Sequence, residues 1–171
     1  SIDLAKEASK NYEVLVAGSF PPIETSFRPD LTPKDEELCQ FYSSIGSILE
    51  NQVDLILCET MSSIREGIQA ASTAKQYSER VWLSWTTRGL NGEALPSGES
   101  LINAINAANE LNIECQLINC VSMDLVTAQI NTLKLAGKFG VFANSCVLKN
   151  SINDLGEAFD IDENHHANTV T

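Results

Sequence analysis

Apolar residues along this chain fall into two alternating kinds of run. Short continuous stretches, such as residues 14–17, 55–58 and 117–118, alternate with longer segments whose apolar positions recur every three or four residues. The first kind predicts buried strands and the second amphipathic helices. Residues 1–10 read as the end of a helix, with Leu4, Ala5 and Ala8 on one face. Residues 12–19 predict a strand stopped by Gly18, Pro21 and Pro22. Its following loop, running to Pro29 and Asp30, is long enough to lie over something.

Thr32, Pro33 and Asp35 predict a helix start, with Thr32 as the cap and Pro33 in the first helical position. Leu38, Phe41, Ile45 and Ile48 continue that helix. Residues 53–58 predict the second strand, and Ser63 with Glu66 has capping-box spacing ahead of Ile64, Ile68 and Ala71. Residues 81–86 predict the third strand. A Gly- and Pro-containing loop then leads to a helix through Leu101, Ile105, Ala108 and Leu111. Residues 115–120 predict the fourth strand, Met123, Val126, Ile130 and Leu133 the next helical stripe, and residues 140–144 the fifth strand. Beyond Cys146 the pattern fades into a polar, acidic tail at about residues 150–171 that contains His165 and His166.

Strand and helix alternate, and the strands are almost wholly apolar. This predicts an α/β fold with a parallel sheet covered by helices. Five strands could complete a doubly wound sheet, whereas a (β/α)8 barrel needs three more. Neither a Gly-x-Gly-x-x-Gly nor a Walker sequence occurs, so no motif supports nucleotide binding.

Composition narrows the function classes. The 171 residues are 43% hydrophobic, enough for one globular core. The net charge of −12 argues against nucleic acid and anionic membrane surfaces as partners. No apolar run approaches a membrane span and no leader pattern precedes the first strand. The five cysteines, at 39, 58, 115, 120 and 146, form no Cys-x-x-Cys pair, which fits a reducing cytoplasm better than a disulfide scaffold.

Candidate chemistry concentrates where strands end, the usual address of sites in α/β folds. Cys120 follows Asn119 at the end of the fourth strand, as a metal ligand, a nucleophile or a small buried hydrophobe. Glu59 closes the second strand, where a carboxylate faces a cleft or a cation such as a bound amine, caps the following loop, or meets Arg88. Asn119 and Asn144 carry amides suited to an amino-acid ligand or to tying down a turn. Cys58 should point to the helices, Trp85 reads as core or pocket wall, and His165 and His166 read as surface.

Five segments in order, residues 16–19 (Val-Ala-Gly-Ser), 54–60 (Asp-Leu-Ile-Leu-Cys-Glu-Thr), 81–86 (Val-Trp-Leu-Ser-Trp-Thr), 97–101 (Ser-Gly-Glu-Ser-Leu) and 118–120 (Ile-Asn-Cys), with a weaker sixth at 142–145, resemble the homocysteine S-methyltransferase family. The resemblance spans about residues 1–150. It implies a partial (β/α)8 TIM barrel of about five parallel βα units, the family's third to seventh strands, in one homocysteine-binding domain over 1–171 that is incomplete at both ends. It implies methyl transfer from a small donor to homocysteine, giving methionine, with zinc as cofactor. It further implies that Cys120 is a zinc ligand, that Glu59 meets the substrate amino group, and that Asn119 and Asn144 line the pocket.

The family's Gly-Gly-Cys-Cys stretch, which supplies the other two zinc thiolates, does not occur here, and Cys146 is a conceivable substitute. The alternative expectation is therefore a non-catalytic, zinc-less relative acting as a binding or assembly module. An open five-stranded sheet also exposes two edges and an inner face, so self-association or poor stability of the chain alone is expected.

Overall fold

A computed structural model describes residues 2–144. Cys146, His165, His166 and the acidic tail lie outside the described residues. Five parallel strands form one sheet in sequential order: β1 (Ala17–Phe20), β2 (Leu55–Met61), β3 (Val81–Trp85), β4 (Cys115–Ser122) and β5 (Phe139–Asn144). Helices α1 (Ile2–Ser9), α2 (Asp35–Leu49), α3 (Ile64–Ala74), α4 (Leu101–Glu110) and α5 (Met123–Leu133) alternate with them. The strand order never reverses, so a doubly wound sheet, which needs a switch point, is excluded. Right-handed crossovers between successive neighbours put the connecting helices on one face, as in a TIM barrel.

The two faces differ accordingly. Phe20, Ile56, Cys58, Leu83, Trp85 and Ile118 are fully buried under the helices. Positions of the opposite parity, Ser19, Leu57, Glu59, Trp82 and Leu117, are half-buried or exposed, and Phe142 is 74% exposed. Cys58 and Trp85 thus belong to the helix-side core.

Within that core, Gln116 holds three elements together. Its Oε1 accepts from Trp85 Nε1 at 3.1 Å, and its Nε2 donates to the Ile105 carbonyl at 3.1 Å and to Asn109 Oδ1 at 2.8 Å. A fully buried amide is retained at little cost when it is paired this way. Gly67 admits the Trp85 ring against α3, since a Cβ there would lie 2.5 Å from Cζ3. Ser63 and Ser100 cap α3 and α4, their hydroxyls accepting from Glu66 N and Asn103 N at 3.3 Å each.

Several boundaries differ from the sequence reading. β1 begins at Ala17 rather than residue 12, and Tyr12, Val14 and Leu15 are exposed. These residues precede the first strand pairing, and Asp54 closes the entry by bonding Val16 N (2.7 Å) through its carboxylate while its own N–H reaches Val16 O (2.8 Å). α2 begins at Asp35, with Lys34 as its cap and no side-chain cap bond. Thr32 instead ends a 3-10 turn (Pro29–Leu31), and its hydroxyl donates to Glu66. β2 continues to Met61 because a bulge lengthens it. Met123 leaves the α5 stripe, whose buried positions are Val126, Gln129 and Leu133.

Candidate functional site at the C-terminal ends of the strands

β2 and β4 end in the same way. Each carries a register shift in its pairing with the next strand, between Cys58 and Met61 in β2 and between Asn119 and Ser122 in β4. Each shift contains one non-glycine residue in the left-handed region, Thr60 (φ 59) and Cys120 (φ 56). Such conformations are costly for residues with a Cβ and persist where the surroundings over-determine them. Bulges re-aim side chains at the rims of barrels.

Asn119 is what over-determines this pair. It is 4% exposed and lies between the two bulges. Its Oδ1 accepts from Thr60 N at 3.2 Å and from Ser84 Oγ at 2.7 Å. Its Nδ2 donates to Thr60 Oγ1 at 2.8 Å and to Cys120 Sγ at 3.4 Å. Two acceptor positions and two donor hydrogens are all occupied within the protein. Thr60 Oγ1 also lies 3.5 Å from Cys120 Sγ. The half-buried thiol is thereby oriented by two neutral groups at the end of its strand.

Glu59 stands beside this cluster on the face away from the helices, half-buried, and its Oε1 accepts a short hydrogen bond from Ser19 Oγ on β1. Asn144 ends β5, half-buried and in register with Ser122. The structure thus brings Asn119 and Cys120 into one bonded cluster with Thr60 and Ser84, and places Glu59 and Asn144 on the strand ends to either side. Thr60, Ser84 and Ser19 stand in the resembling segments, but the sequence reading gave none of them a part in a site. Each is a lone hydroxyl in or after an apolar strand, a faint signal because such residues also occur as ordinary strand positions.

Among the described cysteines Cys120 alone belongs to this cluster: Cys58 is buried on the helix side, Cys115 lies at the opposite end of β4 and Cys39 on α2. Among the described residues no group of three or more His, Cys, Asp and Glu side chains could hold a metal. A zinc ion needs about four ligands, so these residues offer one donor and not a complete centre. No helix among them is long and apolar enough to cross a membrane. Two surface grooves, of about 570 Å³ beside Thr32 and Arg65 and about 300 Å³ beside Lys6 and Asp54, lie away from the cluster.

Comparison with known proteins identifies the lineage. Solved structures of the homocysteine methyltransferase MmuM from Escherichia coli share this fold with a TM-score of 0.65. The apo form is 21% identical, over 89% of this chain and 67% of that one. The metallated form is 20% identical over 88% and 65%, and the oxidized form 19% over 89% and 65%. The chain therefore spans about two thirds of the length of these structures. A search of curated proteins finds no match. The model of the homocysteine S-methyltransferase family matches residues 1–170, and the chain belongs to that family.

Proposed function

We propose that this chain is the greater part of a homocysteine-binding barrel that transfers a methyl group from a small donor to the homocysteine sulfur, yielding methionine. The observation that carries the reading is Cys120, presented by a left-handed bulge and oriented by Asn119 and Thr60, at the end of a barrel strand in a chain of this family.

Each residue has a part. Glu59, held by Ser19, accepts the substrate ammonium. A half-buried carboxylate with a neutral partner gains more from a bound cation than from water alone. Asn119 acts through its neighbours, fixing the Cys120 thiol and the Thr60 backbone together. Asn144 lines the same end from β5. Cys120 would hold zinc together with ligands from outside the described residues, and its hydrogen-bonded neighbours would orient it as a second shell does. Zinc, when bound, supplies the deprotonation that makes a thiol nucleophilic at neutral pH. Holding the amine end fixed leaves the substrate sulfur directed at the donor methyl, which is a positioning contribution. We place the protein in the cytoplasm, where its thiols stay reduced.

The test is calorimetric titration of homocysteine into the protein at its natural length, with metal content measured alongside. Glu59→Gln should weaken homocysteine binding about tenfold or more, the scale of a lost charge-assisted hydrogen bond. Cys120→Ser should remove the metal and methyl transfer. Zinc-free protein that binds homocysteine no better than methionine would replace this reading by that of a non-catalytic binding module. For the 171 residues alone, we expect association between copies through the open sheet face around Phe142. A single monomeric species in sedimentation velocity would contradict it.

A further inference from the structure

The helix α3 opens with Ser63 and Glu66 at capping-box spacing, yet the Glu66 carboxylate is turned to other partners. Ser63 Oγ accepts from Glu66 N, while the Glu66 carboxylate reaches across to the loop between β1 and α2. Its Oε1 accepts from Ile23 N at 3.2 Å and its Oε2 from Thr32 Oγ1 at 3.3 Å. Ile23 and Thr32 bracket the loop. The next residue back, Arg65, grips its far end, donating to the carbonyls of Thr32 (3.0 Å) and Pro33 (2.8 Å) and pairing with Asp35. Tyr42, on α2, donates from its hydroxyl to the Pro21 carbonyl at 3.1 Å and stacks on Phe20.

Glu66 is 2% exposed, and the Arg65 guanidinium is directed to the carbonyls and Asp35 rather than to it. Burying a carboxylate without a cation bonded to it is expensive. Burial pushes the Glu66 carboxyl above its ordinary range, against the pull of the Ile23 and Thr32 donors, the nearby Arg65 charge and the Tyr42 hydroxyl. Inside the bracketed loop Phe27 is left-handed (φ 70), a conformation a bulky residue keeps only where the chain around it is held. The loop leaves the C-terminal end of β1 one residue after Ser19, the partner of Glu59.

We propose that Glu66 is a positioning residue: a two-point latch that holds the loop of residues 21–33 preformed beside Glu59, as one wall of the amino-acid end of the site. Its place at that site rests on the methyl-transfer reading above; the latch itself does not. The latch needs one acceptor facing Ile23 N and any hydrogen-bonding group facing Thr32 Oγ1. A glutamine supplies both, with its amide oxygen toward Ile23 and its amide nitrogen donating to the Thr32 hydroxyl. Leucine supplies neither.

The experiment is hydrogen exchange on the protein at its natural length, with Glu66→Leu, Glu66→Gln and the milder Thr32→Val, beside limited chymotryptic cleavage at Phe27. In Glu66→Leu, the amides of the non-proline residues from 23 to 32 should exchange about tenfold to a hundredfold faster and cleavage at Phe27 should accelerate, with β2, β3 and β4 unchanged. Thr32→Val should show a smaller change in the same residues, and serves where Glu66→Leu does not fold. Glu66→Gln should restore protection to within about threefold and should bind homocysteine nearly as the parent does, whereas Glu66→Leu loses about tenfold in affinity. Loop amides as protected as in the parent, exchange that rises evenly over the whole sheet, or a Glu66→Gln protein as open as Glu66→Leu would each overturn the latch. If homocysteine binds to none of these proteins, parent included, the methyl-transfer reading falls, and the exchange pattern still decides the latch.

Discussion

The two ends of this one sheet are built from opposite chemistry. At the N-terminal end, Arg80 forms a two-pronged bond with Glu114 at 2.9 and 3.0 Å, and Lys138 reaches the same carboxylate at 2.7 Å while lying 5.5 Å from the Trp82 ring centre. These side chains are 29–56% exposed, and the residues sit just before β3, β4 and β5. At the C-terminal end, Thr60, Ser84 and Asn119 are buried and neutral, and among the described residues their side chains bond to one another and to Cys120. An exposed ion network contributes modestly and survives imperfect geometry, because water screens it. A buried neutral network is geometrically exacting, since any unpaired member loses water without a replacement. The tolerant chemistry stands at the end where the strands begin, and the exacting chemistry at the end that presents Glu59 and Cys120.

Substitutions should separate the ends. Asn119→Leu has the largest expected effect. It leaves Thr60 N and Ser84 Oγ without their partner, and should cost about 3 kcal/mol in denaturant unfolding. A loss below about 0.5 kcal/mol would show that water replaces the amide and that the end is not exacting.

Glu114→Gln should cost about 1 kcal/mol or less once solvent screening is counted. Its pH dependence has a definite sign. Arg80 and then Lys138 hold the Glu114 carboxyl at about 2, below its ordinary 4.5. A depressed carboxyl stabilises the fold above its unfolded value and loses that contribution as pH falls. The parent should therefore lose stability relative to Glu114→Gln between about pH 4.5 and 2, and the difference should be level above that window. A difference that grows as pH rises above 5 would contradict the assignment.

Salt should give the smallest effect. About 1 M sodium chloride should remove a few tenths of a kcal/mol from the parent and almost nothing from Glu114→Gln, read as the shift in unfolding midpoint. Equal salt sensitivity of both would mean the network is energetically idle.

Much of this molecule was legible in its sequence. The alternation of apolar runs with three-to-four-residue periodicity specifies parallel strands and covering helices, because side-chain direction follows local backbone period. That Glu59 and Cys120 lie near strand ends was legible too, since each follows an apolar run, although β2 and β4 each continue two residues further, to Met61 and Ser122. The short resembling segments pointed to the family that matches residues 1–170. Less legible were the boundaries. Val14 and Leu15 have strand character but lie outside the strand pairing, and Thr32 has capping character but serves Glu66 instead.

What the tertiary structure alone decided is which distant groups meet. Thr60 and Asn119 are 59 positions apart, and their bonds exist only because β2, β3 and β4 pair in a register broken by two bulges. Glu66 reads as a capping residue until the loop at Ile23, 43 positions earlier, folds against it. Periodicity is a local property and survives in one dimension. A hydrogen bond between strands depends on register, and register is settled only when the side chains of neighbouring elements pack.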